Sequence, residues 1–213
     1  MSEPRVEEGD YLFPKTLKSW LLILLVLISF GYFIHEKMEQ KRIAGIGPVE
    51  DQPIQESTDA PPIQSKDFTI EPVARYTVRA KVLSIERYRM GEESDLSPVD
   101  FVLGWGPMSN NEIIKKLNIS QSDRWYNYSW SGNPPIDLAV IIRTSANTHL
   151  VPADDMVKSR LFKVRVGEIV NLKGYLVNIK FRDGRMWRSS LTREDSGGGA
   201  CELMLVEEAV IEN

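Results

Sequence analysis

Ile169-Val-Asn-Leu-Lys-Gly-Tyr-Leu-Val-Asn-Ile-Lys-Phe181 is the stretch whose reading decides the fold. Val170, Leu172 and Leu176 share one phase of a two-residue repeat, and Val177, Ile179 and Phe181 share the other. Side chains of a strand alternate between faces, so a repeat of two marks a strand. Gly174 is read as the point of the switch, where a sharply bent strand favours glycine. Outward from here, Arg182-Asp-Gly-Arg185 carries the Asp-Gly hairpin signal and leads into a second arm, Met186 to Leu191. Leu203 to Ile211 reads as a closing strand. Upstream, Tyr76, Val78, Ala80 and Val82 alternate with polar residues, and a phase change at Val82-Leu83 predicts a bulge.

Two short helices interrupt the strands. Ser109-Asn-Asn-Glu112 offers an N-cap followed by an acidic residue, and Pro152 to Phe162 begins acidic and ends basic. Arg165-Val-Gly-Glu-Ile-Val-Asn-Leu-Lys-Gly174 resembles a strand of an OB-like barrel. The expected class is therefore α+β and mostly β, a small OB-like β-barrel, with a β-sandwich as the alternative.

The 213-residue chain has a formal charge of -4. From Thr69 onward 19 basic residues balance 19 acidic ones, so the segment before it carries the excess. A neutral domain excludes a general polyanion binder, and nucleic acid is not an expected partner. Cys201 is the sole cysteine, which rules out an intramolecular disulfide.

Trp20 to Ile34 contains no charge. Counted from Leu17, the helix covers about 27 Å, close to the roughly 30 Å of a bilayer core. His35-Glu-Lys-Met-Glu39 follows where a cleavage site would need small residues, so an uncleaved signal anchor is expected. Basic residues are evenly split around it, and the short N-terminal segment makes N-terminus inside the default. The layout is an N-terminal cytoplasmic segment 1–16, a transmembrane helix 17–35, a Pro-rich tether 36–68 and a soluble β-rich domain 69–213. The tether follows from Pro48, Pro53, Pro61 and Pro62 among polar residues.

Candidate chemistry is sparse. Asp195-Ser-Gly-Gly198 resembles the nucleophile box of trypsin-like proteases, but Glu194 and Gly199 replace its outer residues and no histidine box precedes it. A glycine-rich turn explains it better. The anchor-plus-β layout is similar to signal peptidases, whose Ser-Met-x-Pro box is absent. His149 and Cys201 are too few donors for a metal site, so neither metal nor cofactor is expected. Asn118-Ile-Ser120 and Asn127-Tyr-Ser129 fit a glycosylation sequon that matters only in a eukaryotic source. Lys158 to Arg193 carries a net +8, balanced by -8 in the rest of the domain.

Leu103-Gly-Trp-Gly-Pro-Met-Ser109, Ile119-Ser-Gln-Ser122 with Arg124-Trp-Tyr126, Ser145-Ala-Asn-Thr-His-Leu-Val-Pro-Ala-Asp154 and Trp187 to Glu202 are together similar to a family of bacterial single-pass membrane-anchored proteins with no assigned activity. The resemblance implies a bacterial inner membrane, with the domain in the periplasm. Two functions follow. One is a non-catalytic binding or assembly module using Lys173, Lys180, Arg185, Trp187, Arg188 and Arg193, with Trp105, Arg124 and Trp125. Its partners would be anionic lipid, an acidic protein or an anionic envelope polymer. The other is a small envelope hydrolase using His149 with Cys201 or Ser196, which requires His149 beside a nucleophile in an open cleft.

Overall fold

The computed structural model describes residues 17–45 and 47–212. After a helix α1 (Leu17–Gly45) come strands β1 (Ile54–Glu56), β2 (Ile63–Gln64), β3 (Phe68–Arg87), β4 (Val99–Gly104), β5 (Asn118–Ser122), β6 (Trp125–Ser129), β7 (Ser145–Pro152), β8 (Ile169–Phe181), β9 (Met186–Arg188) and β10 (Glu202–Glu212). Helices α2 (Glu92–Leu96), α3 (Asn111–Ile114), α4 (Leu138–Thr144) and α5 (Asp155–Leu161) are short. The sequence reading anticipated α3 and α5 but not α2 or α4. The chain divides into two compact units at Arg42/Ile43.

α1 is one 29-residue helix. Its described side chains from Trp20 to Ile34 are exposed all round. Among the described residues no helix is long and apolar enough to cross a membrane. The N-terminal segment 1–16 and the side chains of 35–45 lie outside the described residues.

In the second unit β3, β4, β7, β10 and β8 pair in that order, and β8 pairs back onto β3, closing a ring of five strands. β7 and β10 run parallel, and every other pair in the ring is antiparallel. Alternation explains what fills it. Tyr76, Val78, Ala80 and Val82 of β3 meet Leu172 and Leu176 of β8 and Met204 and Val206 of β10 in one buried cluster. The opposite phase of β8, Val177, Ile179 and Phe181, joins Leu203 and Leu205 in a second cluster. Each such side chain contributes about 1.5–3 kcal/mol when fully buried.

The anticipated bulge is present, as the β3–β4 register shifts between Val82 and Ser84. The Asp-Gly hairpin is also present, with Gly184 at φ 88° and β9 pairing Asn178 with Arg188. Gly174 acts differently from expectation. The buried face of β8 changes after Leu176, and β8 runs unbroken through the glycine. What Gly174 supplies is room, because a Cβ there would sit 1.9 Å from the Leu205 carbonyl oxygen of β10.

The stretch read as a tether, 36–68, is in part docked. Val49 is fully buried, its N–H donates to Ser109 Oγ at 2.7 Å, and β1 and β2 both pair with β3. Composition missed this because short edge strands need few apolar residues.

Candidate functional site

Strand alternation places Asp100 of β4 and Asn147 and His149 of β7 on the outer face of the ring. Asp100 pairs across with His149, and His149 with Leu203, two residues beyond Cys201. Asp100 is fully buried, and its Oδ2 lies 2.7 Å from His149 Nδ1. Its Oδ1 accepts from Arg124 Nη1 at 3.0 Å. The cavity-facing imidazole packs at a tilt of 51° against Trp187, with centroids 5.0 Å apart.

Arg124 reaches this carboxylate from the β5–β6 turn, where Asp123 and Arg124 both have positive φ, 51° and 65°. Left-handed backbone is unfavourable for such residues and persists where surroundings over-determine it. Here Arg124 donates to Ser97 O at 3.0 Å, pairs with Glu93 at 3.3 Å, and lies over the rings of Tyr88 (4.1 Å) and Trp187 (4.9 Å). Neither Asp100, Asn147 nor Glu93 was singled out from sequence. A usable signal was present: Asp100 is the one charge in the buried strand Val99–Gly104, and a buried carboxylate needs a partner.

Cys201 arrives from the other side. Asn147 Nδ2 donates to its sulfur at 3.6 Å, and the thiol lies 3.9 Å from the Arg124 carbonyl oxygen. Asn147 is itself fixed by Gln121 Nε2, 2.7 Å from its Oδ1. Burial of His149 opposes its charged form, yet the hydrogen bond to Asp100 and that carboxylate's charge, with the neighbouring Cys201, outweigh it and raise its pKa to about 9. The imidazole therefore carries a proton at neutral pH.

The loop from Ser189 to Cys201 is tied down at both ends. Ser190 N donates to Cys201 O at 2.9 Å, and Ser190 Oγ donates to Asp195 Oδ2 at 2.7 Å. Gly197 and Gly199 turn at φ 84° and 87°, which brings the sulfur back over β7. Asp195 is thus a loop tie, as the glycine-turn reading expects.

Two cavities flank the sulfur. The larger, about 350 Å³, is lined by Arg124, His149, Met186, Trp187, Arg188 and Gly199; the smaller, about 110 Å³, is lined by residues including Tyr126, Tyr128, Ile142 and Ala146. Trp125, Gly197 and Cys201 line both. Cys201 shares the larger cavity with His149, whereas Ser196 opens only into the smaller. Among the described residues no cluster of donors suited to a metal ion occurs.

Of the residues expected to bind, Arg124, Trp125, Trp187 and Arg188 come together around the larger cavity. Arg185 is ion-paired with Glu92 and Asp183 in an adjoining groove. Lys173 pairs with Glu208 at 3.2 Å, and Lys180 lines neither cavity. Arg193 and Trp105 are structural instead. Trp105 is fully buried, and Arg193 lies over its ring (5.7 Å) and that of Tyr76 (5.0 Å) while pairing with Glu202 at 3.0 Å. Burial pushes Glu202 up to about 7, against the pull of Arg193.

No family model matches the chain, and no curated protein or solved structure is significantly similar to it. The aromatic middle of the chain includes the β5–β6 hairpin and α4. Its Tyr126, Tyr128 and Trp130 pack over Met108 and Ile141.

Proposed function

We propose that the chain is a thiol-dependent acyl-transfer enzyme or hydrolase, held at a membrane by α1. The observation that supports it is the Asp100–His149 pair at 2.7 Å, with His149 and Cys201 lining one cavity of about 350 Å³. Each of the three residues has a role that general chemistry defines. Cys201 Sγ, having given its proton to His149, attacks a carbonyl carbon. His149 passes that proton to the departing group, leaving an acyl-thioester. Water then attacks this intermediate with His149 as base, releasing the acid and restoring the thiol. Asp100 touches no substrate and is a positioning residue, holding the Nδ1 side of the ring so that the other nitrogen serves the reaction. Asn147 Nδ2 donates to the Arg124 carbonyl oxygen at 3.0 Å and to the sulfur at 3.6 Å, which holds the thiol in place.

The finer fold reading supports the same face. The ring order, with the first strand closing on the fourth, the third parallel to the fifth and α5 between the third and fourth, fits an OB-like barrel better than a sandwich. OB barrels hold ligands on the face of their second and third strands, between the first and fourth loops. Asp100 and His149 lie on those strands, and Tyr88, Glu93, Trp187 and Cys201 come from those loops. For the anchor, Leu17–Ile34 lies within one helix with no polar stripe among its described side chains. The resemblance of the stretches between Leu103 and Glu202 to bacterial single-pass proteins favours an inner membrane with the domain in the periplasm.

The test is acylation of the full chain in detergent by 4-nitrophenyl acetate. A burst of one nitrophenolate per chain and a mass increase on Cys201 are expected, with both lost in Cys201→Ala and His149→Gln. Asp100→Asn should lower the acylation rate by about 10²–10⁴-fold. Equal rates in wild type and Cys201→Ala would overturn the reading and leave the cavity as a binding site without turnover.

A further inference from the structure

The proton path decides which cavity receives which part of a substrate. A leaving group must take its proton from His149, and His149 lines only the larger cavity. The leaving part therefore lies there, and the acyl chain lies across the sulfur in the smaller one. The smaller cavity holds about 110 Å³. Taking roughly 30 Å³ per water-sized group, that is room for three or four such groups. Tyr128, Ile142 and Ala146 give it one apolar side, and Ser145, Asn147, Asp195 and Ser196 a polar one.

The larger cavity has aromatic walls, Trp125 and Trp187, and two guanidinium groups. Arg124 is committed to Asp100 and Glu93. Arg188 is exposed and, among the described residues, has no carboxylate partner, so it is the cation left to meet a ligand.

We propose that the substrate is an ester or thioester whose acyl chain is short, about two to four carbons, and whose leaving part carries a carboxylate or phosphate met by Arg188. This rests on the thiol reading above. Its own content is the assignment of the two cavities.

The experiment uses the full chain with acetyl, butyryl and octanoyl esters of 4-hydroxybenzoate, which is anionic, and of the neutral 4-hydroxybenzamide. Acetyl and butyryl esters should outpace octanoyl by at least about tenfold in kcat/KM, and benzoate esters should outpace benzamide esters. Arg188→Glu should remove the preference for the anion by lowering kcat/KM for benzoate esters at least about tenfold more than for benzamide esters. Tyr128→Ala should shift the optimum to longer chains, and Ile142→Trp to acetyl alone. Burst stoichiometry on Cys201 is measured in every variant. A normal burst with octanoyl and acetyl esters reacting equally, or with Arg188→Glu slowing both leaving groups equally, overturns the cavity assignment and leaves the thiol reading standing. No burst with any ester overturns both.

Discussion

Asp100 is the residue on which the site turns, because it answers two cations at once. Its carboxylate is fully buried between Arg124 and His149, and a charge in that position is tolerable only when paired. The raised pKa of His149 links this arrangement to stability. The folded ring binds its proton up to about pH 9 against an ordinary 6.5. The stabilisation is thus complete below pH 6.5 and is lost as pH climbs through 9, a change of about 3 kcal/mol. Melting of the wild type should fall between pH 6.5 and 9.5 more steeply than that of His149→Gln, and parallel curves would contradict the assignment. His149 and Cys201 were legible in the sequence as the two scarce chemical groups of the domain. Asp100 was not, because one carboxylate among apolar neighbours acquires meaning only when β4 pairs with β7.

At the scale of elements, period and turn chemistry carried most of the fold. The alternation of β3, the bulge at Leu83 and the Asp-Gly hairpin were each readable, since every one is a local consequence of residue type. Closure was implied by the barrel reading, but the pairing of β3 with β8 that achieves it was not, because the two are distant in sequence and nothing local marks their register. Gly174 shows the same limit. Its presence was visible, but its reason lies in the approach of a third strand. Gly174→Ala would press a methyl group onto the Leu205 carbonyl. We expect a loss of about 3 kcal/mol, at the upper end of overpacking costs, read as a lowered urea midpoint. An unchanged midpoint would show that β10 can move aside freely.

For the molecule as a whole, the boundary of the folded unit falls earlier than composition suggests. Val49, β1 and β2 add burial and pairing to β3. A fragment beginning at Gly47 should therefore be about 3 kcal/mol more stable than one beginning at Thr69. Equal urea midpoints for the two would return residues 47–68 to the role of a tether. The closed ring also has a consequence in time. Asp100 meets His149 across 49 residues, Asn147 meets Cys201 across 54, and Arg75 meets Tyr175 across 100. Contacts so remote in sequence make folding slow, in the range of milliseconds to seconds for β topologies. Until that search ends, the sulfur has neither imidazole nor cleft beside it and behaves as an ordinary thiol. The moment at which it acquires distinctive reactivity therefore dates the completion of folding, and a fast thiol label serves as the clock.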